Sequence, residues 1–159
     1  MPTSSHLIGL ISDTHGLVRP AVHEALNGVE LILHAGDVGG PEILAELRLI
    51  APVKAVFGNT DPAGMAELSE SIDIEIGGLR IHVSHGDEVG SPTPERLAAR
   101  YDSDVVIYGH SHRQLVTRLN GQLFVNPGAA GPRRFKLPAS VGIMTIANGQ
   151  PEVSIVDIA

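Results

Sequence analysis

Eight histidines and eighteen aspartates and glutamates stand in a chain without cysteine, so metal chemistry here has to run on imidazole, carboxylate and amide donors. Two pairs are spaced two residues apart: Asp13 with His15, and His110 with His112 in the stretch Gly109-His110-Ser111-His112. On a segment that stays extended, such pairs project from the same side, so each can serve one site. Single donors recur beside glycine in Gly36-Asp37, Gly58-Asn59 and Ser84-His85-Gly86. Taken singly, each has an ordinary reading as well. Ser12-Asp13-Thr14 and Asp37 read as turns or helix caps, and Asn59-Thr60-Asp61-Pro62 as a plain turn. His34 sits inside an apolar run and reads as a satisfied core group. His82 is an odd number of residues from His85, so a regular strand turns the two to opposite faces. His85 is therefore expected at the site, and His82 in packing or at the surface. His23-Glu24 fails as a zincin helix because Asn27 stands where the second histidine is required.

The elements that must position these donors follow from apolar patterning. Leu7 to Ile11, Leu31 to Ala35, Val53 to Phe57 and Val105 to Tyr108 are short apolar runs that read as buried strands, each ending at a donor motif. Helical spacing predicts helices over Val18 to Leu26, Pro41 to Ile50 and Glu95 to Tyr101, with Pro20, Pro41 and Pro94 at their starts. Met65 to Leu68 reads as a short helical turn. Ile72 to Ile76 with Leu79 to Ser84, Gln114 to Leu119 with Gln122 to Val125, and Val141 to Ala147 with Val153 to Ile158 read as hairpins. The first half is thus parallel βαβ, where function gathers at the carboxyl ends of strands, and the second half is mostly antiparallel. Two sheets packed face to face with helices outside would bury both kinds of strand.

At 159 residues and 43% hydrophobic, the chain suits one domain over 1–159. It has no apolar stretch of about twenty residues and no signal-like amino terminus, so a cytoplasmic protein is expected, with no membrane partner. A net charge of -7 and 3% aromatic residues argue against general nucleic-acid binding. An acidic balance does not exclude phosphate substrates, because bound divalent cations invert the local field. There is no P-loop, and Ser111 lacks the Gly-x-Ser-x-Gly frame of a serine hydrolase.

In order, Asp13-Thr14-His15, Gly36-Asp37, Gly58-Asn59, Ser84-His85-Gly86 and Gly109-His110-Ser111-His112 resemble the signature of the calcineurin-like metallophosphoesterase superfamily. The resemblance runs from about Ile8 to Arg133, and the short length resembles the compact phosphodiesterase branch, to which a retromer subunit of the same fold is also similar. It implies an α/β protein, a four-layer α/β/β/α sandwich of two mixed sheets flanked by helices, with a two-metal centre. Carried over, Asp13, His15, Asp37 and His112 would hold one metal, and Asp37, Asn59, His85 and His110 the other, with Asp37 bridging. Asp37, Asn59 and His110 form the implied catalytic set. The implied activity is hydrolysis of a small phosphate ester, first a phosphodiester, by a metal-bridging hydroxide attacking phosphorus in line. The alternatives are a phosphomonoesterase, a phosphoprotein or nucleotide polyphosphate phosphatase, or a non-catalytic scaffold, although a scaffold has no need of all seven ligand side chains. Manganese is the metal the branch implies first, and iron, zinc, cobalt and nickel also suit mixed nitrogen and oxygen donors. A homo-oligomer is compatible with the sequence. Many relatives carry histidine after the Gly-Asn block, where it resembles a general acid; here Thr60 stands there, and its hydroxyl is a poor proton donor at neutral pH. Ala129 replaces a serine that relatives often have after the Asn126-Pro127-Gly128 loop. Arg133 and Arg134 follow and read first as solvated loop charges, with contact to a substrate phosphate as the alternative reading.

Overall fold

β-branched and leucine-rich runs bounded by glycine and asparagine turns give eleven strands among the described residues, beside three short α-helices. A computed structural model describes residues 5–62, 65, 67–132 and 136–158. The elements are β1 (Ser5–Ile11), α1 (Pro20–Ala25), β2 (Leu31–His34), α2 (Pro41–Leu47), β3 (Val53–Val56), β4 (Leu68–Ser69), β5 (Ile72–Ile76), β6 (Leu79–Val83), α3 (Pro94–Ala98), β7 (Val105–Ile107), β8 (Leu115–Leu119), β9 (Gln122–Asn126), β10 (Ser140–Ala147) and β11 (Gln150–Asp157). One sheet has the order β11-β10-β1-β2-β3-β4 and the other β5-β6-β7-β9-β8. β1 to β4 pair in parallel, whereas β10 joins β1 antiparallel, so both sheets are mixed.

Three apolar interfaces separate four layers. Val22, Leu26, Ile43 and Leu44 of the first two helices pack with Ile11 and Ile32 on the outer face of the first sheet. Leu10, Leu33 and Val56 meet Val83, Ile107 and Val125 between the sheets. Leu97 of α3 covers Val106 and Phe124 on the outer face of the second sheet. The α/β/β/α sandwich expected from the sequence is therefore the fold. Leu33 is fully buried between the sheets, and Leu33→Ala should lower unfolding stability by about 2–5 kcal/mol. The same change at Leu49, which is 80% exposed, should stay within about 0.5 kcal/mol, and urea titration of the two variants checks the contrast.

Several boundaries differ from the expectation. The helices are shorter, with Pro20, Pro41 and Pro94 at their first turns, so Val18 lies outside α1. The last hairpin does not wait until Val153: its pairing runs to Ala147 and Gln150 across a turn of Asn148 and Gly149, both with positive φ. Pro151 is tolerated there because β11 is an edge strand, where a missing N–H breaks no ladder. The turn expected over Met65 to Leu68 is closed by the Leu68 N–H donating to Met65 O at 3.3 Å; Ala66 within it lies outside the described residues, and Leu68 also opens β4. No helix among the described residues is long and apolar enough to cross a membrane.

Candidate metal centre

The donor motifs follow the carboxyl ends of β1, β2, β3, β6 and β7, and the loops are tied to one another by their backbones. Asp13 N–H donates to Gly36 O, His15 N–H to Asp37 O, and Gly109 N–H to His85 O, each at 2.9 Å. Asp13, His15, Asp37, His110 and His112 all have positive φ, between 45° and 71°. The period-two argument for the His110/His112 and Asp13/His15 pairs therefore does not describe these segments, which have left the extended conformation. The pairs converge because left-handed residues fold each loop back over the strand ends. Such φ values are strained for residues other than glycine and persist only where the surroundings over-determine them. The glycines preceding the donors have a related cause: a Cβ on Gly58 would overlap Asp37 Oδ1, and one on Gly109 would overlap Ser12 Oγ.

Each carboxylate is anchored by one oxygen and offers the other. Asp13 Oδ2 accepts the Ser12 hydroxyl at 2.7 Å and the His110 N–H at 3.2 Å. Its Oδ1 is buried without a hydrogen-bond partner and faces Nε2 of His112, His15 and His85 at 3.4, 3.7 and 3.9 Å. Asp37 Oδ1 accepts the Thr60 N–H at 2.9 Å, while Oδ2 lies 3.2 Å from His85 Nε2 and 3.6 Å from His15 Nε2. The Asn59 amide oxygen sits 3.0 Å from His85 Nε2 and 3.2 Å from His110 Nδ1. The seven residues singled out in the sequence are thus linked by these contacts into one cluster. Within them, Asp13 with His15 and His112, and Asp13 with Asp37 and His85, each present ligand atoms within 4.8 Å of one another.

The electrostatics follow from this crowding. Burial by itself would raise the Asp13 carboxyl, but the imidazoles of His112, His15 and His85 outweigh it and hold the group well below the usual carboxylate range. Burial acts likewise on Asp37, and His85 with Thr60 brings it down. Burial would lower His85, yet the hydrogen bond to Asp37 and the charges of Asp13 and Asp37 push it up to about 9. The His85 Nδ1–H donates to Ala35 O at 2.8 Å, which aims Nε2 at the carboxylates. An orphaned buried carboxylate oxygen facing three ring nitrogens that stand beyond good hydrogen-bond range fits a divalent cation.

Sequence reasoning missed a supporting layer. Asp61 is 8% exposed, and its carboxylate accepts N–H groups of Val38 at 2.9 Å, Gly58 at 3.0 Å and Gly39 at 3.0 Å. It therefore clamps the loop carrying Asp37 to the loop carrying Asn59. The turn reading of Asn-Thr-Asp-Pro marked the position, but which distant amides the carboxylate would reach is not a local property. Asp61→Asn puts an NH₂ group against at least one of these donors, and metal affinity should fall about 10–100-fold, read by metal titration of the folded variant. His34, read as a satisfied core group, is fully buried, with the Gly36 N–H donating to its Nδ1 and Thr14 Oγ1 3.0 Å from its Nε2; burial pushes its pKa down to about 4. His82 stacks on Tyr101 and contacts Asp73 at 2.8 Å, away from the centre. Arg133 and Arg134 lie outside the described residues.

Residues 7–149 match the family model described as the calcineurin-like phosphoesterase superfamily domain. A protein of Methanothermobacter thermautotrophicus described as a probable metallophosphoesterase is 36% identical over 160 residues, covering 94% of this chain and 91% of that one. A Methanocaldococcus jannaschii protein described as a phosphodiesterase is 29% identical over 139 residues, covering 76% of this chain and 82% of that one. Among solved structures, Vacuolar Protein Sorting 29 from Cryptosporidium parvum has the same fold, with a TM-score of 0.80 over 98% of each chain at 24% identity.

Proposed function

The chain belongs to the calcineurin-like phosphoesterase superfamily, and on that premise we propose that it is a two-metal phosphoesterase acting on phosphodiesters. The observation that carries this reading is the unpartnered, buried Asp13 Oδ1 facing the imidazoles of His15, His85 and His112. In the proposed assignment Asp13, His15, Asp37 and His112 hold one divalent cation, and Asp37, Asn59, His85 and His110 hold a second. Asp37 is the shared ligand: its Oδ2 stands between one imidazole of each set, His15 and His85. Bound cations would supply the positive charge that draws in and polarises a phosphoryl group and makes water more acidic.

The chain's own groups prepare the site for that charge. Two carboxylates against four imidazoles and an amide leave two divalent cations undercompensated, so the centre keeps an attraction for phosphate. Ser12, Thr60 and Ala35 fix the orientation of Asp13, Asp37 and His85 before any ligand arrives. His110, more exposed than His112, stands on the solvent side of the cluster. Manganese is the proposed metal, within a donor set that zinc, iron, cobalt and nickel also suit. A metal-screened assay with mono- and diester substrates tests the proposal; no metal-dependent hydrolysis of either class would refute it.

Thr60 offers its backbone N–H to Asp37 and carries no imidazole toward a departing group. Without a general acid at that position, leaving-group acidity should control the rate. Aryl diesters should be turned over faster as the pKa of their phenol falls, and a rate independent of that pKa across the series would contradict the assignment.

A further inference from the structure

We propose that the cavity beside Asp37, lined by Gly39, Gly40, Pro41, Thr60, Pro62 and Met65, receives an uncharged, apolar ester group of the phosphate substrate. The inference rests on the phosphoesterase reading and narrows the substrate class for the same site. The cavity has a volume of ≈ 410 Å³, enough for a small organic group. Its wall is joined to the loops of the donor cluster at two points. Thr60, on its wall, donates its N–H to Asp37 Oδ1 at 2.9 Å, and Gly39 follows Asp37 by two residues in the loop zipped to His15 and Gly16. A phosphoryl group held at the cluster would therefore present one substituent to this wall.

The chemistry of the lining selects what that substituent is. Proline rings, glycine backbone and the Met65 thioether dominate the surface. The charged residue that also borders the cavity, Asp61, is 8% exposed, and both its oxygens are engaged by the N–H groups of Val38, Gly39 and Gly58. Among the described residues, no lysine or arginine lines the cavity. The carboxylate of Glu42 folds back against Gly40 of the lining, which adds negative charge at the cavity's edge. A second phosphoryl group, as in a nucleotide polyphosphate, would meet no cation among the described residues of the lining, whereas a ring or alkyl chain would leave water for an apolar wall.

Calorimetric titration of the manganese-loaded protein with phenylphosphonate, methylphosphonate and inorganic phosphate reads the cavity without turnover. Phenylphosphonate should bind about tenfold more tightly than methylphosphonate, the order expected for partial burial of one ring. Met65 is partly exposed, so Met65→Gln is expected to fold, which its melting temperature verifies. In that variant the phenyl-to-methyl ratio should drop to about two- to threefold. Equal binding of the two phosphonates by the unaltered protein, or an unchanged ratio in Met65→Gln, would overturn the pocket assignment while leaving the phosphoesterase reading in place. Failure of all three probes to bind the metal-loaded protein would overturn both.

Discussion

Asp37→Asn should lower metal-dependent phosphoester hydrolysis by roughly 10³-fold or more while the fold persists. The magnitude follows from losing one shared carboxylate: several kcal/mol of transition-state charge stabilisation, at about 1.4 kcal/mol per factor of ten. The Asn variant is the sharper of two tests. Asp37 has φ 56°, a left-handed conformation that asparagine tolerates and alanine adopts only with strain. Asn also keeps an oxygen for the Thr60 N–H, so the clamp between the two loops survives. Asp37→Ala should abolish turnover too, and it adds the backbone strain of about 1–3 kcal/mol, visible as a lower denaturation midpoint. Steady-state kinetics with saturating metal, beside urea unfolding of both variants, separates the lost charge from lost structure. Retained turnover in a metal-replete Asp37→Ala protein would contradict the mechanism.

Metal removal should have the second large effect, with a defined dependence on pH. In the metal-free protein His85 is pushed up to about 9, so at neutral pH it carries a proton against the two carboxylates. A cation entering the cluster has to displace that proton, because only the neutral ring can act as a ligand. Apparent metal affinity should therefore rise about tenfold per pH unit from pH 6 and level off above about pH 9. Calorimetry in buffers of different ionisation enthalpy should count the released proton directly; an affinity flat between pH 6 and 9 would show that the cation displaces no proton from His85.

Folding stability has the matching sign. A histidine raised above its ordinary 6.5 stabilises the metal-free fold fully below that value and loses the contribution as pH rises through about 9. Asp13 and Asp37 are lowered from 3.8, so their contribution is present above that value and lost as pH falls through their depressed range. The share contributed by His85 is therefore fully present below about pH 6.5 and gone above about pH 9, where the carboxylates face each other with neither that proton nor a cation between them. Manganese at about a thousandfold excess over its Kd adds about 4 kcal/mol, which for a chain of this size raises Tm by roughly 8–16 °C. The rise after chelation and re-addition should be larger at pH 9 than at pH 6, as thermal scans would show.

What the sequence determined by itself was the list of parts and their order. Donor motifs of the right type, each holding or touching a glycine and each after an apolar run, are local facts, and so are the parallel βαβ start and the Asn-Gly turns. The tertiary structure decided how the parts meet. His110 and His112 share a site because both adopt left-handed backbone after β7, a state that alternation along a strand cannot foresee, and the His110 N–H is held there by Asp13 Oδ2 from the distant loop after β1. Asp61 looked like a turn residue because its three amide partners belong to two loops, with Val38 and Gly39 more than twenty residues away. The place of β10 beside β1 and the apolar cavity next to Thr60 were equally out of reach. Local patterning reports which face a residue prefers and where a segment stops; which segment supplies the neighbouring hydrogen-bond donor is settled only when distant strand ends are packed against one another.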